Sequence, residues 1–334
     1  MPYELDGTVK IEKVPRKICV MADSSDHENS GLEGPRKRAK TATSSFGSSA
    51  RESHDSSAYY QSKMNQGIVS SRHVGDAGVF PNKLKDTIHC HDSTNLEFIP
   101  NNSVDLVVTS PPYNATKEYD EDLSLEQYLS LLKGVFSECY RVLTPGGRMI
   151  VNIANMGRKP YIPLTSYVNM LMIDLGFLMR GEIIWDKSAS AGSSCAWGSF
   201  KSASNPCLRD IHEYLLVFSK GDFKKPKVDK AKEKKVDTIE KDEFIQFSKS
   251  IWSFATERAS RVHHPAPFPI ELPRRCIEFY TFEHDVVLDP FLGSGTTALA
   301  AQLTKRHFIG IDISNEYCEI SRKRLEASSI VVKN

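Results

Sequence analysis

From about residue 85 onward, short apolar segments alternate with longer segments whose apolar residues recur at helical spacing. The segment from Val104 to Thr109 is apolar nearly throughout, which is typical of a buried strand. The segment from Leu125 to Leu143 predicts an amphipathic helix. Further strands are predicted at Thr87 to His91, Arg148 to Ile153, Phe177 to Trp185, Glu213 to Ser219, Val286 to Phe291 and Phe308 to Asp312. This alternation predicts an α/β fold, in which helices cover both faces of a mostly parallel sheet and ligands bind where the strands end.

The chain before this pattern has a different composition. Residues 24–71 are rich in serine, glycine and charge and have few periodic apolar residues, which predicts a disordered tail over residues 1–84. The domain is expected over residues 85–327, followed by a short tail at 328–334. Residues 221–243 are rich in lysine and acidic residues, and a solvated loop is predicted there.

The charge and cysteine content narrow the classes of partner and compartment. The 43 basic and 42 acidic residues nearly cancel, so any surface for nucleic acid must be a local patch. The seven cysteines form no CxxC pair and fit a reducing compartment. The longest apolar stretch, from Val168 to Met179, is too short to span a membrane, and no secretion signal is expected.

The segment from Val287 to Thr297 reads as a strand, a glycine turn and the start of a helix. Gly293 and Gly295 permit close backbone approaches, and the N–H groups at the helix start suit an anion such as a carboxylate. About twenty residues later a strand ends at Asp312, whose carboxylate could accept both hydroxyls of a ribose. Neither a dinucleotide fingerprint nor a Walker lysine is present, because Ala298 replaces the third glycine and threonines follow Gly295. A nucleoside that carries a carboxylate, S-adenosylmethionine, satisfies every feature.

A second motif, Ser110-Pro111-Pro112-Tyr113, follows the buried strand that ends at Thr109. Ser110 Oγ and the carbonyl of Pro111 are acceptors that could bind both protons of an aromatic amine and make its nitrogen more nucleophilic. Tyr113 offers a face on which a base taken out of the duplex can stack. No covalent nucleophile is needed, because a sulfonium methyl group is already activated. A simple proline-rich turn with an exposed tyrosine is the alternative.

These two motifs carry a resemblance to the amino-methyltransferases of DNA. Ser110-Pro111-Pro112-Tyr113 looks like their catalytic motif, and the segment from Asp289 to Gly295 looks like their F-x-G-x-G cofactor loop. The catalytic motif comes first, as in the circularly permuted β class of bacterial restriction–modification systems. The resemblance implies a Rossmann-like methyltransferase domain with a seven-stranded sheet and one antiparallel strand. It also implies a target-recognition region inserted at about residues 186–262, and double-stranded DNA as partner, with base flipping.

The resemblance also assigns residues. The cofactor S-adenosylmethionine, which leaves as S-adenosylhomocysteine, would be held by Asp92, His264, Pro265, Asp289, Pro290, Phe291, Gly293, Ser294, Gly295, Thr296 and Asp312. Among these, Asp92 would lie near the adenine, and His264 with Pro265 would meet the methionine end. Members with serine first in the catalytic motif mostly methylate cytosine N4, whereas those with aspartate mostly methylate adenine N6. Cytosine N4 is therefore favoured. Adenine N6, RNA or protein amide nitrogen, and an inactive DNA-binding relative stay open.

Other residues are assigned to DNA or set aside. Contacts with DNA are predicted for Asn114, Lys187, Trp197, Lys201, Arg209, Arg258 and Arg261, although solvated loops would show the same residues. His89-Cys90-His91 lacks a second ligand cluster, so no metal is expected. Cys207 does not follow a buried strand as the nucleophile of ring-carbon methyltransferases would.

The basic run from Pro35 to Lys40 is either a nuclear localisation signal or a solvated charge cluster. Because such a tail is foreign to bacterial members, the combination resembles a bacterial-type enzyme that works in a nucleus. The oligomeric state, monomer or homodimer, stays open.

Overall fold

The computed structural model describes residues 41–42, 54–55, 61–66, 71–113, 123–157, 159–187, 198–225, 235–256 and 268–332. The chain divides into two compact units, Met1–Gly67 and Ile68–Asn334. In the first unit, Thr41–Ala42 and His54–Asp55 pair as two short parallel strands, and Lys63–Asn65 forms a 3-10 turn. The candidate site lies in the second unit.

The second unit is built on one eight-stranded sheet. In chain order its strands are β1 (Thr87–Cys90), β2 (Val104–Thr109), β3 (Leu143–Ile153), β4 (Phe177–Asp186), β5 (His212–Lys220), β6 (Ile251–Ser253), β7 (Val286–Asp289) and β8 (His307–Asp312). Their order in the sheet is β1-β8-β7-β2-β3-β5-β4-β6. Strand β5 is antiparallel to both of its neighbours, and the other pairings are parallel. The α/β fold with one antiparallel strand is thus confirmed, and the sheet has one strand more than expected.

The helices of this unit lie between the strands in sequence, except the last, which follows β8. They are α1 (Leu125–Val142), α2 (Leu164–Asp174), α3 (Lys241–Phe247), α4 (Glu271–Tyr280), α5 (Thr296–Leu303) and α6 (Asn315–Val332). Helix α1 starts at a capping box, in which the side chains and backbone N–H groups of Ser124 and Gln127 bond each other reciprocally. Within the described ranges, no helix is long and apolar enough to cross a membrane.

Side chains of the sheet are buried on both of its faces. In β2, Val107 belongs to a core that includes Leu132 and Phe136 of α1. Its neighbours Leu106 and Val108 point the other way, into a second core that includes helices α4 and α5. This two-sided burial explains why the strand reads as nearly continuous apolar sequence.

Residues 241–253 add an element that the sequence did not predict. Helix α3 packs beside α4, and β6 extends the edge of the sheet next to β4. Phe247 and Trp252 are both buried in the second core. This segment was expected to end a solvated loop and to belong to the target-recognition region. Two aromatic residues five positions apart were too weak a signal to reveal a short helix and a three-residue strand.

Contacts with the domain extend beyond the boundaries predicted at residues 85 and 327. Phe80 and Leu84 are buried in the first core. Asn102 Nδ2 donates to the backbone carbonyls of Val74 and Asp76, so the chain from about residue 71 is held by backbone contacts that have no apolar pattern. At the other end, α6 continues to Val332.

Candidate active site

The two sequence motifs meet at the carboxyl edge of the sheet, because β2 and β7 are neighbours. Thr109, the last residue of β2, donates its hydroxyl to Asp289 Oδ1 at 2.7 Å across 180 residues of chain. Asp289 begins the cofactor loop, and Ser110 follows Thr109 directly. The catalytic motif and the cofactor loop are therefore joined through one hydrogen bond between Asp289 and the residue that precedes Ser110.

The Asp289 carboxylate is fully buried and is used inside the protein. Besides Thr109, it accepts hydrogen bonds from Thr297 Oγ1 at 2.7 Å and from the backbone N–H of Phe291 at 3.1 Å. Burial raises the pKa of Asp289 to about 6, although these three hydrogen bonds oppose the rise. Asp289 thus shapes the loop from beneath.

Both loop glycines adopt left-handed backbone conformations, with φ of 53° at Gly293 and 81° at Gly295. A Cβ on Gly295 would lie 2.9 Å from Ser321 Cβ, so even alanine would clash with α6. The N–H of Gly293 donates to Asp312 Oδ2 at 2.8 Å, and that of Gly295 donates to the carbonyl of Leu292 at 3.0 Å. These two N–H groups are thus occupied within the protein, whereas the anion was predicted to bind the N–H groups at the start of the following helix.

Asp312 lies at the end of β8, where the sequence placed the ribose acid. Its second carboxylate oxygen accepts from the N–H of Ser314 at 2.9 Å. A carboxylate has about four acceptor positions, so the two backbone contacts leave capacity for the two hydroxyls of a ribose. Burial raises the pKa of Asp312, and the two backbone hydrogen bonds oppose that rise.

The end of β1 borders the same loop. Ser93 Oγ donates to the carbonyl of Pro290 at 2.6 Å, and the N–H of His91 donates to the carbonyl of Asp312 at 3.0 Å. Asp92 lies between them and is exposed, with its Oδ1 accepting from the N–H of Thr94 at 2.8 Å. This position next to the cofactor loop is compatible with the predicted contact with adenine.

Other residues of the predicted cofactor set have different surroundings. Ser294 and Thr296 are buried, and Arg324 Nη1 of α6 donates to the carbonyl of Ser294 at 3.0 Å and to Thr296 Oγ1 at 2.9 Å. These two residues thus attach the loop to α6. Phe291 is partly buried against the first core. His264 and Pro265 lie outside the described residues.

The catalytic motif contacts a polar cluster that the sequence did not reveal. Tyr113 OH donates to Glu213 Oε2 at 3.2 Å, and Asn152 Nδ2 donates to the same oxygen at 2.7 Å. Asn152 Nδ2 is also 3.5 Å from Ser110 Oγ. Lys187 Nζ lies 2.6 Å from Glu213 Oε1. Asn152 interrupts the apolar run from Met149 to Ile153, which was the sequence signal that could have drawn attention to this cluster.

This cluster changes the interpretation of Lys187, which was predicted to contact DNA, because its ammonium is paired with Glu213. Lys201 is exposed and lies over the ring of Phe200, and Arg209 is half-buried. The other residues predicted to contact DNA lie outside the described residues: Asn114, Trp197, Arg258 and Arg261.

The residues weighed as metal ligands have protein partners. His89 Nε2 lies 2.9 Å from Thr87 Oγ1, and His91 Nε2 lies 2.8 Å from the carbonyl of Asn95. Among the residues that the structure describes, no group of three or more histidine, cysteine and acidic residues could hold a metal ion. Cys207, set aside as a nucleophile, lies half-buried beside the bridge between Gly198 and Pro206.

Known proteins are similar to this chain in sequence and in fold. The type II methyltransferase M.ScaI of Streptomyces caespitosus is 32% identical over 70% of this chain and 79% of its own length. The DNA adenine methyltransferase YhdJ of Escherichia coli is 29% identical over 75% of this chain and 85% of its own. The crystal structure of a DNA modification methylase from Thermus thermophilus, complexed with S-adenosyl-L-methionine, matches with a TM-score of 0.56. It is 27% identical and covers 72% of this chain and 93% of that one.

Residues 104–323 match the family of N6 and N4 methyltransferases described as DNA methylase. The matched range includes the catalytic motif, the polar cluster around Glu213, the cofactor loop and Asp312, and it spans most of the domain. On this match and on the similarity to M.ScaI, the chain belongs to the DNA methylase family.

Proposed function

We propose that the protein transfers a methyl group from S-adenosylmethionine to the N4 amine of cytosine in double-stranded DNA. The observation that carries this proposal is the hydrogen bond between Thr109 and Asp289, which holds the Ser110 motif against the cofactor loop. A methyl donor and an amine acceptor must lie side by side for direct transfer, and this contact brings their binding segments together.

The described cofactor side of the site fits the nucleoside part of S-adenosylmethionine. Asp312 retains acceptor capacity for the ribose hydroxyls, and Asp92 lies exposed beside the loop for the adenine. His264 and Pro265 are proposed for the methionine end. When bound, the sulfonium supplies an activated methyl group, so the chain itself needs to provide only position and electrostatics.

The substrate side acts on the amine. Ser110 Oγ and the carbonyl of Pro111 accept the two amine protons, which reduces delocalisation of the nitrogen lone pair into the ring. Pro112 keeps the turn rigid, since its ring fixes φ. Tyr113 stacks on the base after it leaves the duplex, as enzymes that modify bases require. Lys201 and Arg209 are proposed to contact phosphates, together with Asn114, Trp197, Arg258 and Arg261.

The choice of cytosine N4 rests on Ser110, since the motif resembles that of the N4 enzymes. Adenine N6 is the second candidate, because YhdJ of Escherichia coli, 29% identical, is a DNA adenine methyltransferase. The two bases differ at their Watson–Crick edges, and the target-recognition region lies partly outside the described residues. The family match covers both N6 and N4 enzymes and does not separate them.

One experiment tests both candidates. The full chain is incubated with unmethylated duplex DNA and S-adenosylmethionine labelled in its methyl group, and nucleosides from the digested DNA are identified by mass spectrometry. We expect labelled N4-methyldeoxycytidine, formed about a hundredfold or more slowly by a Ser110→Ala control. Labelled N6-methyldeoxyadenosine would show that the target is the N6 amine of adenine and not the N4 amine of cytosine. Cofactor binding without methylation of DNA, and without methylation of RNA or protein in parallel incubations, would indicate an inactive DNA-binding relative.

The basic run from Pro35 to Lys40, which lies outside the described residues, is proposed to direct the protein to the nucleus. Replacing Arg36, Lys37 and Arg38 by alanine should reduce nuclear accumulation of a fluorescently tagged chain. The matched control replaces three lysines of the 221–234 stretch, which keeps the change of charge equal. A triple variant that accumulates in the nucleus like the unmodified chain would contradict the proposal.

A further inference from the structure

We propose that Glu213 is a positioning residue, which orients the hydroxyl protons of Tyr113 and Ser110 so that a serine lone pair faces the target amine. This inference rests on the proposed function. It concerns a residue outside the catalytic motif and about 100 positions from it in sequence.

Glu213 lies near the start of β5, the antiparallel strand, beside the carboxyl end of β3. Its carboxylate accepts hydrogen bonds from Tyr113 OH at 3.2 Å, Asn152 Nδ2 at 2.7 Å and Lys187 Nζ at 2.6 Å. The side chain of Glu213 is only 14% exposed. A poorly hydrated carboxylate with three protein donors has a fixed orientation and can fix theirs.

The direction of each hydrogen bond follows from the chemistry of the groups. An ionised carboxylate can only accept, so the Tyr113 hydroxyl must donate to Glu213. Burial, followed by the nearby Glu213 carboxylate, raises the pKa of Tyr113 well above its usual value, so the phenol keeps this proton. With its own proton on Glu213, the phenol oxygen keeps lone pairs for the proton of Ser110, three residues earlier in the same motif. In the proposed arrangement it accepts that proton, so that Ser110 Oγ faces the amine as an acceptor.

Asn152 supports the same arrangement from β3. Its Nδ2 group is anchored on Glu213 and lies 3.5 Å from Ser110 Oγ. A hydroxyl oxygen has two lone pairs, so a donor on one side leaves the other for the amine of the base. Glu213 therefore acts on Ser110 along two paths, through Tyr113 and through Asn152.

Lys187 binds the other oxygen of the Glu213 carboxylate, since its Nζ lies 2.6 Å from Oε1. Oε2 is thereby left to Tyr113 and Asn152, and the carboxylate is held from both sides. Lys187, which also lies 5.5 Å from the ring centre of Trp185, is thereby given a role inside the site.

The competing explanation is that Glu213 has only a structural role and stabilises the contact between β5 and β3. Kinetic measurements distinguish this role from positioning of Ser110. The variant Glu213→Gln keeps the shape of the side chain but adds a donor. We expect kcat on duplex DNA to fall about ten- to a hundredfold, with unchanged Kd for S-adenosylmethionine and little change in KM for DNA. A fall in thermal stability and cofactor affinity with unchanged kcat would overturn the proposal.

A double-mutant cycle tests the path through the phenol. Tyr113→Phe keeps the stacking ring and removes the hydroxyl, so it should lower kcat and leave cofactor affinity unchanged. If Glu213 acts through that hydroxyl, Glu213→Gln should lower kcat by a clearly smaller factor in the Tyr113→Phe variant than in the unmodified enzyme. Fully additive losses would overturn this path. If Glu213→Gln does not fold, Tyr113→Phe with unchanged kcat would overturn the proposal alone.

Glu182→Gln is the matched control, since it removes an equal charge from the neighbouring strand β4. Glu182 is exposed, and its Oε1 accepts from Asn169 Nδ2 at 2.8 Å, away from the cluster. Its kcat should equal that of the unmodified chain. Failure of this inference remains distinct from failure of the proposed function. In the first case the unmodified chain methylates DNA and Glu213→Gln matches it, and in the second case the unmodified chain methylates no DNA.

Discussion

The cofactor loop and the catalytic motif lie side by side, yet they are built in different ways. The loop, its acid Asp312 and the helix that backs it come from residues 286–332, and most of their polar contacts close within that range. The catalytic motif is one short segment whose polar partners come from β3 and β5, and Lys187 after β4 contacts the partner on β5. A cofactor site made from contiguous sequence is visible in that sequence, whereas an acceptor site made from several strands is visible only in part.

The largest effect is expected from Ser110→Ala in the catalytic motif. Because the proposed role of the serine acceptor is to act on the amine while bonding changes, kcat should fall by about a hundred- to a thousandfold, or roughly 3–4 kcal/mol. Steady-state methylation of duplex DNA measures it, and calorimetry should show unchanged cofactor affinity. A mismatched target should not rescue this variant. A loss of cofactor binding instead would show that the two regions are less separate than their contacts indicate.

Asp289→Asn tests the link between the two regions. Because its folded pKa is raised to about 6 from 3.8, Asp289 stabilises the fold fully below pH 3.8 and loses that contribution as pH rises through about 6. Between those values the unmodified chain should lose up to about 3 kcal/mol of unfolding free energy relative to the asparagine variant. Denaturant titrations at several pH values measure the difference. Asp174→Asn, at an exposed helix end, is the control and should show no such trend.

Asp312→Ala probes the locally built region. It removes a charged acceptor from the ribose and from the N–H groups of Gly293 and Ser314, so cofactor binding should weaken by about 2–3 kcal/mol. Isothermal calorimetry on protein shown to be folded by circular dichroism makes the measurement. Unchanged affinity would remove Asp312 from the cofactor site, and the assignment by sequence spacing would be wrong.

Tyr113→Ala should produce the smallest and most conditional effect. Stacking on the flipped base contributes about 1–3 kcal/mol, so kcat/KM on duplex DNA should fall while cofactor affinity stays the same. A mismatched target costs less to extrude, so part of the lost activity should return there. Equal rescue of Tyr113→Ala and Ser110→Ala would contradict their separate roles.

Local pattern predicted the central elements of the fold because their signals were strong. Strand β2 was identified by its apolar run, and helix α1 by its periodicity. Strand β6 and helix α3 were missed, because each is short and contributes only one or two large apolar side chains to the core. The chain from residue 71 to Phe80 was assigned to the tail, since backbone hydrogen bonds to Asn102 leave no trace in composition.

In the candidate site too, some features were predicted from the sequence and others were seen only in the structure. The positions of Asp312 and of the two glycines followed from their spacing, since a strand, a tight turn and a helix constrain one another locally. The internal use of the Asp289 carboxylate and the occupied N–H groups of Gly293 and Gly295 required the three-dimensional structure. Lys187 was interpreted as a surface cation because sequence cannot show that Glu213, on another strand, faces it.

The sequence by itself determined the type of fold, the cofactor loop and the motif proposed to face the amine, because each depends on residues a few positions apart. Only the tertiary structure decided which strands are neighbours, and therefore that Thr109 reaches Asp289 and that Glu213 reaches Tyr113. The physical reason is that strand order places residues 100 to 180 positions apart within hydrogen-bond distance. No local pattern encodes that placement, since it depends on how the whole sheet assembles.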